Sequence, residues 1–200
     1  MIPPANASFD ETKIALRAKL LALSYEKRAV TLSSGQTSDF YIDCKQTILT
    51  GEGHVLIGRS FLELLRRAEA RHPDRPPHVA CGGLTLGADP LSSALALTAT
   101  LAGRELHAIY VRKEPKAHGT QAYLEGTRAV PLQSRVVVVE DVVTTGGASK
   151  KAIERLREGG YRVDSVLAVV DREAGGREAL VALGCELFAL YSVADLHAPA

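Results

Sequence analysis

Apolar residues along this 200-residue chain fall into two alternating patterns, short β-branched runs and longer stretches with helical spacing. Ile14, Leu16, Leu20, Leu21 and Leu23 predict a helix capped by Asp10 and running to about Lys27. Ser33 to Gln36 then punctuates a hairpin whose second strand is Phe40 to Asp43. A helix is expected from about Gly53 to Ala70, ending before the proline-rich connector His72 to Pro77. His78 to Cys81 begins the next strand, followed by Gly82, Gly83 and Gly87 and an apolar helix from Pro90 to Leu101. Further strands are expected around His107 to Val111, at Val136, over Val163 to Val170 and over Glu186 to Tyr191. Helices Ala148 to Glu158 and Arg177 to Leu183 lie between the later ones. The alternation predicts an α/β fold, a central parallel sheet flanked by helices on both faces, in one domain spanning 1–200.

The run Val136 to Val139 is apolar on both faces, as a central strand covered on each side requires. It leads directly into Glu140 and Asp141, then Val142, Val143, Thr144, Thr145, Gly146, Gly147 and Ala148, where a helix begins. Free amides and the positive end of that helix favour a bound phosphate, and glycine lets the backbone approach it. A Walker loop is excluded because no Gly-Lys-Ser/Thr follows at the required place, and a dinucleotide fingerprint because Gly-x-Gly-x-x-Gly is absent.

This stretch resembles the phosphoribosyl pyrophosphate (PRPP) motif of the type I phosphoribosyltransferases. The resemblance implies that family's fold, with a small N-terminal hood contributed by 1–45. It also implies that Glu140 and Asp141 hold the ribose hydroxyls, with Val142 to Ala148 around the 5-phosphate.

A second segment narrows the family. Arg112 to Gly126 is polar, has no continuous apolar face, and reads as a mobile loop over 112–126. Its cations Arg112, Lys113, Lys116 and His118 suit charge building on a departing pyrophosphate. The pattern Arg-Lys-x-x-Lys-x-His-Gly resembles the catalytic loop of the orotate phosphoribosyltransferases. That resemblance implies a homodimer in which the loop of one subunit enters the partner's site, with Lys116, His118 and Asp141 catalytic.

The hairpin Thr31 to Lys45 is similar to the one lining the base pocket in the same family. Many members carry lysine where this chain has Ser33, and the turn Gly82 to Pro90 contains no lysine either. Arg172, at the end of a predicted strand, offers a planar fork to a carboxylate, the group that distinguishes orotate from uracil. The resemblance assigns orotate to Arg172 and Thr144. It implies transfer of ribose 5-phosphate from PRPP to orotate N1, with Mg2+ carried mainly on PRPP and no protein metal site.

Composition removes competing classes. Twenty-four Lys and Arg against 23 Asp and Glu leave a net charge of +1, so no global field recruits nucleic acid or an anionic membrane. A PRPP-sensing regulator would need such a surface, and a purine or uracil transferase would lack the basic loop. The N-terminus has no secretory pattern and no apolar run approaches a membrane span, which predicts a cytoplasmic protein. Cys44, Cys81 and Cys185 form no Cys-x-x-Cys pair and read as reduced structural thiols, and the histidines lack metal-ligand spacing.

Overall fold

The computed structural model describes residues 2–31, 37, 38, 40–115 and 123–197. The helices are α1 (Phe9–Leu23), α2 (Lys45–Ile48), α3 (Gly51–Ala70), α4 (Ala88–Leu101), α5 (Gly147–Glu158), α6 (Gly176–Val181) and α7 (Val193–His197). The strands are β1 (Tyr25–Glu26), β2 (Val30–Thr31), β3 (Thr37–Ser38), β4 (Tyr41–Ile42), β5 (Ala80–Leu84), β6 (His107–Val111), β7 (Leu124–Glu125), β8 (Val136–Val143), β9 (Ser165–Asp171) and β10 (Glu186–Ser192). Six of them form the main sheet in the order β10-β9-β8-β5-β6-β7. All its neighbouring pairs are parallel except β6 with β7.

Alternation along the central strands divides the core between the two faces. Val137 and Val139 pack with Cys81 and Leu167 against α1, α3 and α4. Val136 and Val138 pack with Ala80 and Val166 against Ala152, Ile153 and Leu156 of α5 and Leu180 of α6. Phe61, in the middle of α3, is fully buried, a residue whose truncation to alanine typically costs about 3–5 kcal/mol. The three cysteines are free and buried, and burial pushes the Cys81 thiol up to about 12, the Cys185 thiol up to about 11 and Cys44 well above its ordinary value.

Several expectations need correction. The first helix stops at Leu23 instead of Lys27, because Tyr25 and Glu26 leave it to pair with Ile42 and Tyr41. Its cap is Ser8, not Asp10: Ser8 Oγ accepts from the Glu11 N–H while the Glu11 carboxylate accepts from the Ser8 N–H. Ile14 and Leu23 are exposed, and the buried face is Thr12, Leu16 and Leu20. The expected hairpin is two nested ladders, β2 with β3 and β1 with β4, and Ser33 to Gln36 lie outside the described residues. The central sheet is parallel as expected, but the expected loop over 112–126 is not loop throughout: its end, Leu124 and Glu125, forms β7, which adds to β6 antiparallel as a short edge.

The edge of the sheet at the strand starts is fastened by charge. Arg135, before β8, grips Asp164, before β9, through Nε at 3.1 Å and Nη2 at 3.0 Å. Arg104 grips Glu69 of α3 with both Nη atoms, at 2.8 and 2.7 Å. Buried His78 lies between these forks, Nδ1 3.0 Å from Glu69 Oε1 and Nε2 3.4 Å from Asp164 Oδ1. Burial alone would raise both carboxyls, but the His78 and arginine donors outweigh it, holding Glu69 down to about 2 and Asp164 far below its ordinary range.

Replacing Arg135 by Met should therefore cost about 1–3 kcal/mol in denaturant unfolding, since it leaves half-buried Asp164 with the more exposed Arg75 as its one arginine partner among the described residues. The depressed Glu69 stabilises the fold fully above its ordinary 4.5 and loses that contribution as pH falls toward about 2. Thermal melting across that window should show a shallower acid limb in Glu69→Gln than in the parent chain.

Candidate active site

The chain leaves β5 toward β6 on one side and later returns to β8 on the other, so the strand order diverges between β5 and β8. In a parallel α/β sheet such a divergence opens a crevice beyond the strand ends. The turn Thr85 to Gly87 and the pair Glu140 and Asp141 meet there. A Cβ on Gly87 would lie only 3.0 Å from the Asp141 carboxylate carbon, so glycine is what admits that side chain.

Both acids lie in the carboxyl-terminal half of β8, which runs on two residues further to Val143. Successive strand residues face opposite ways, and the two carboxylates have different surroundings. Glu140 is buried and its Oε2 accepts from Ser149 Oγ of α5 at 3.0 Å. Burial, then the neighbouring Asp141 charge, push its carboxyl up well above the ordinary range, against the pull of the Ser149 hydrogen bond. Asp141 is less enclosed; its Oδ1 accepts from the Val142 N–H at 2.8 Å and its Oδ2 lies 3.7 Å from Lys45 Nζ. Lys45 also holds Asp43 at 2.7 Å. Burial would lower the Lys45 ammonium, but Asp43 and Asp141 raise it above its ordinary value.

Beyond Val143 the chain turns through Thr144 and Thr145 to Gly146, whose φ of 79° is left-handed and sets the entry to α5. Gly147 and Ala148 form its first turn, where amides lack partners within the helix. Gly176 backs this turn: a Cβ there would meet the Thr144 carbonyl oxygen at 2.6 Å, so the bare backbone lets α6 pack behind the loop. The turn presents hydroxyls and amides of one sense to an anion, beside two carboxylates able to accept from hydroxyls.

Arg172 stands at the adjacent strand end. Its N–H donates to the Val143 carbonyl at 2.8 Å, and its guanidinium carbon lies 4.1 Å from the Phe40 ring centre. Phe40 stacks on Tyr25 at 5.7 Å and meets His197 of α7 edge-on at 4.9 Å. The β1 and β4 pair thus forms an aromatic hood over that strand end. Arg112 and Lys113 follow β6 at the same edge of the sheet. Arg112 lies with Glu125 at 3.4 Å and the Glu114 carbonyl at 3.2 Å instead of with the acidic pair. Lys116 and His118 lie outside the described residues.

The sequence brought the acids, the turn and Arg172 to one edge and placed Phe40 and Lys45 in a pocket-lining hairpin, but gave no individual role to Lys45, Phe40 or Ser149. Lys45 and Asp141 are far apart in the chain, and only the hood brings them together. Ser149 had a local signal: its place in the first turn of a helix directly after the acidic strand. Among the described residues no group of three or more His, Cys, Asp or Glu side chains is arranged to hold a metal ion, and no helix is long and apolar enough to cross a membrane.

No protein-family model matches the chain. The orotate phosphoribosyltransferase of Thermosynechococcus vestitus is 46% identical over 193 residues, covering 94% of this chain and 97% of that protein. The Mycobacterium tuberculosis orotate phosphoribosyltransferase in complex with Fe(III) dicitrate superposes with a TM-score of 0.76 at 37% identity, covering 94% of this chain and 99% of that one. The same enzyme in complex with PRPP gives a TM-score of 0.71 at 34% identity and the same coverage.

Proposed function

The chain belongs to the orotate phosphoribosyltransferase family, and from that premise we propose how its residues divide the work of moving ribose 5-phosphate from PRPP to orotate N1. The reaction yields orotidine 5-monophosphate and pyrophosphate, a step of pyrimidine synthesis. One observation carries the division of roles: the Arg172 backbone N–H, bonded to the Val143 carbonyl at 2.8 Å, sets that residue beside the turn that begins at Thr144, with its guanidinium carbon 4.1 Å from the Phe40 ring centre. A carboxylate-bearing base and a sugar phosphate fit side by side there.

The turn Thr144 to Ala148 takes the 5-phosphate on its amides and hydroxyls, with Val142 and Val143 fixing its approach. Glu140 and Asp141 accept hydrogen bonds from the ribose hydroxyls. The C1–O bond to pyrophosphate breaks with its electron pair leaving on oxygen, and the new C1–N1 bond forms from orotate as the N1 proton passes to the departing pyrophosphate. Positive charge on the ribosyl centre is greatest between these events, and the nearby Asp141 carboxylate opposes it. Arg112, Lys113, Lys116 and His118 neutralise the departing pyrophosphate, while Arg172 and Thr144 hold orotate.

Mg2+ fits this site as a substrate-borne ion. Asp141 presents a hard oxygen donor at the crevice, and a cation that keeps its waters and binds phosphate oxygens needs little more from the protein. When bound, it would offset charge on the pyrophosphate. We place the enzyme in the cytoplasm as a homodimer whose partner loop completes each site.

The assay mixes protein, Mg2+, PRPP and orotate and follows loss of orotate absorbance, with uracil, hypoxanthine and adenine as controls; turnover of a control base but not of orotate would overturn the assignment. Arg172→Ala should raise KM for orotate roughly ten- to hundredfold and that for PRPP far less. Equal changes for both substrates would rule out a carboxylate contact. Lys45→Met should raise KM for PRPP about tenfold, because Asp141 loses the ammonium that steadies it. An unchanged KM would remove Lys45 from the ribose site.

A further inference from the structure

Arg155 lies about two turns into α5, on a helix already seated by Ala152, Ile153 and Leu156 in the core. Its own side chain leaves that core and reaches both ends of the polar segment. Nη1 donates to the Arg112 carbonyl and Nη2 to the Lys113 carbonyl, the latter at 2.9 Å. The guanidinium carbon lies 4.0 Å from the ring centre of Tyr123, on the returning stem. The stems are also tied to each other, the Arg112 N–H donating to the Tyr123 carbonyl at 2.8 Å. One planar cation therefore touches the outgoing stem twice and the returning stem once. Guanidinium suits this use because it bonds two acceptors in its plane and stacks on an aromatic face.

We propose that Arg155 is a positioning residue of the transfer reaction. It clamps the stems of the basic segment to α5, so that Arg112 and Lys113 leave the sheet at a fixed distance from the helix whose first turn faces the 5-phosphate. In the homodimer the clamped segment serves the partner's site, so α5 faces the 5-phosphate of one PRPP at its start and, through Arg155, sets the reach of the loop toward the leaving group of the other. Misplacing a charge-stabilising group by about 1 Å costs on the order of a hundredfold in rate, which sets the scale of what a clamp protects. The proposal rests on the reading of Arg112 to His118 as the leaving-group segment.

Steady-state kinetics on the full-length enzyme test it, with Arg155→Met, Arg155→Lys, Tyr123→Leu and Lys116→Ala measured beside the parent. Arg155→Met should lower kcat about tenfold or more, leave KM for orotate within about twofold, and keep Tm within about 3 °C. Arg155→Lys should recover part of the loss, since an ammonium reaches one carbonyl but cannot fork to two. The double variant with Tyr123→Leu should be less impaired than the product of the single losses, because both act through one clamp.

An unchanged kcat in Arg155→Met, while Lys116→Ala loses activity, overturns the clamp and leaves the segment's role intact. An unchanged kcat in Lys116→Ala instead removes the premise and overturns the proposal with it. A loss in Arg155→Met that vanishes when rates are normalised to folded protein also overturns it, as only the hairpin's stability would then be at stake.

Discussion

Two neighbouring parallel strands, β5 and β8, send their connections to opposite sides of the sheet, and the gap this leaves at their ends is the constraint on which the rest of the molecule depends. A crevice made by topology needs no excavation of the core. Its walls are the turn after β5 and the last residues of β8, so the pair Glu140 and Asp141 can be both strand residues and lining residues. The hood approaches this same edge because Phe40 finds Arg172 there.

Adjacent acids on a strand would repel strongly in a shared pocket. Here the conflict persists and is partly offset: burial and then Asp141 still raise the Glu140 carboxyl, while Ser149 of α5 donates to Glu140 and Lys45 lies near Asp141 beside the turn at Gly87. A single helix, α5, therefore donates to one acid through Ser149 and begins at the turn that follows both. The other edge of the sheet carries the opposite design. There Arg135 and Arg75 pair with Asp164, Arg104 pairs with Glu69, and buried His78 stands between the two carboxylates, bonded to Glu69 through Nδ1.

The valine run, the acidic pair and the strand-helix alternation were legible because each depends on local periodicity and on residue types placed consecutively. Arg172 was legible because strand ends in such sheets gather at one edge. The antiparallel return of β7, the pairing of β1 with β4 and the short α7 were not, since elements of two to five residues carry too little periodicity to register. Lys45, Phe40 and Arg155 escaped for a different reason. Each looks like an ordinary surface, core or helix residue until a distant segment is laid against it, and composition carries no trace of that contact. Lys116 and His118 stay known by their pattern alone, outside the described residues.

The three buried thiols give the molecule a set of internal reporters. Cys44 sits beneath the hood with its sulfur 3.9 Å from the Asp141 carbonyl oxygen, Cys81 within β5 at the sheet centre, and Cys185 just before β10 near the far edge. A thiolate hardly forms in any of these places, so an alkylating reagent meets each sulfur only when its own neighbourhood opens. Labelling rates resolved by position would then map breathing of the hood, the centre and the rim as three separate clocks, without a single introduced probe.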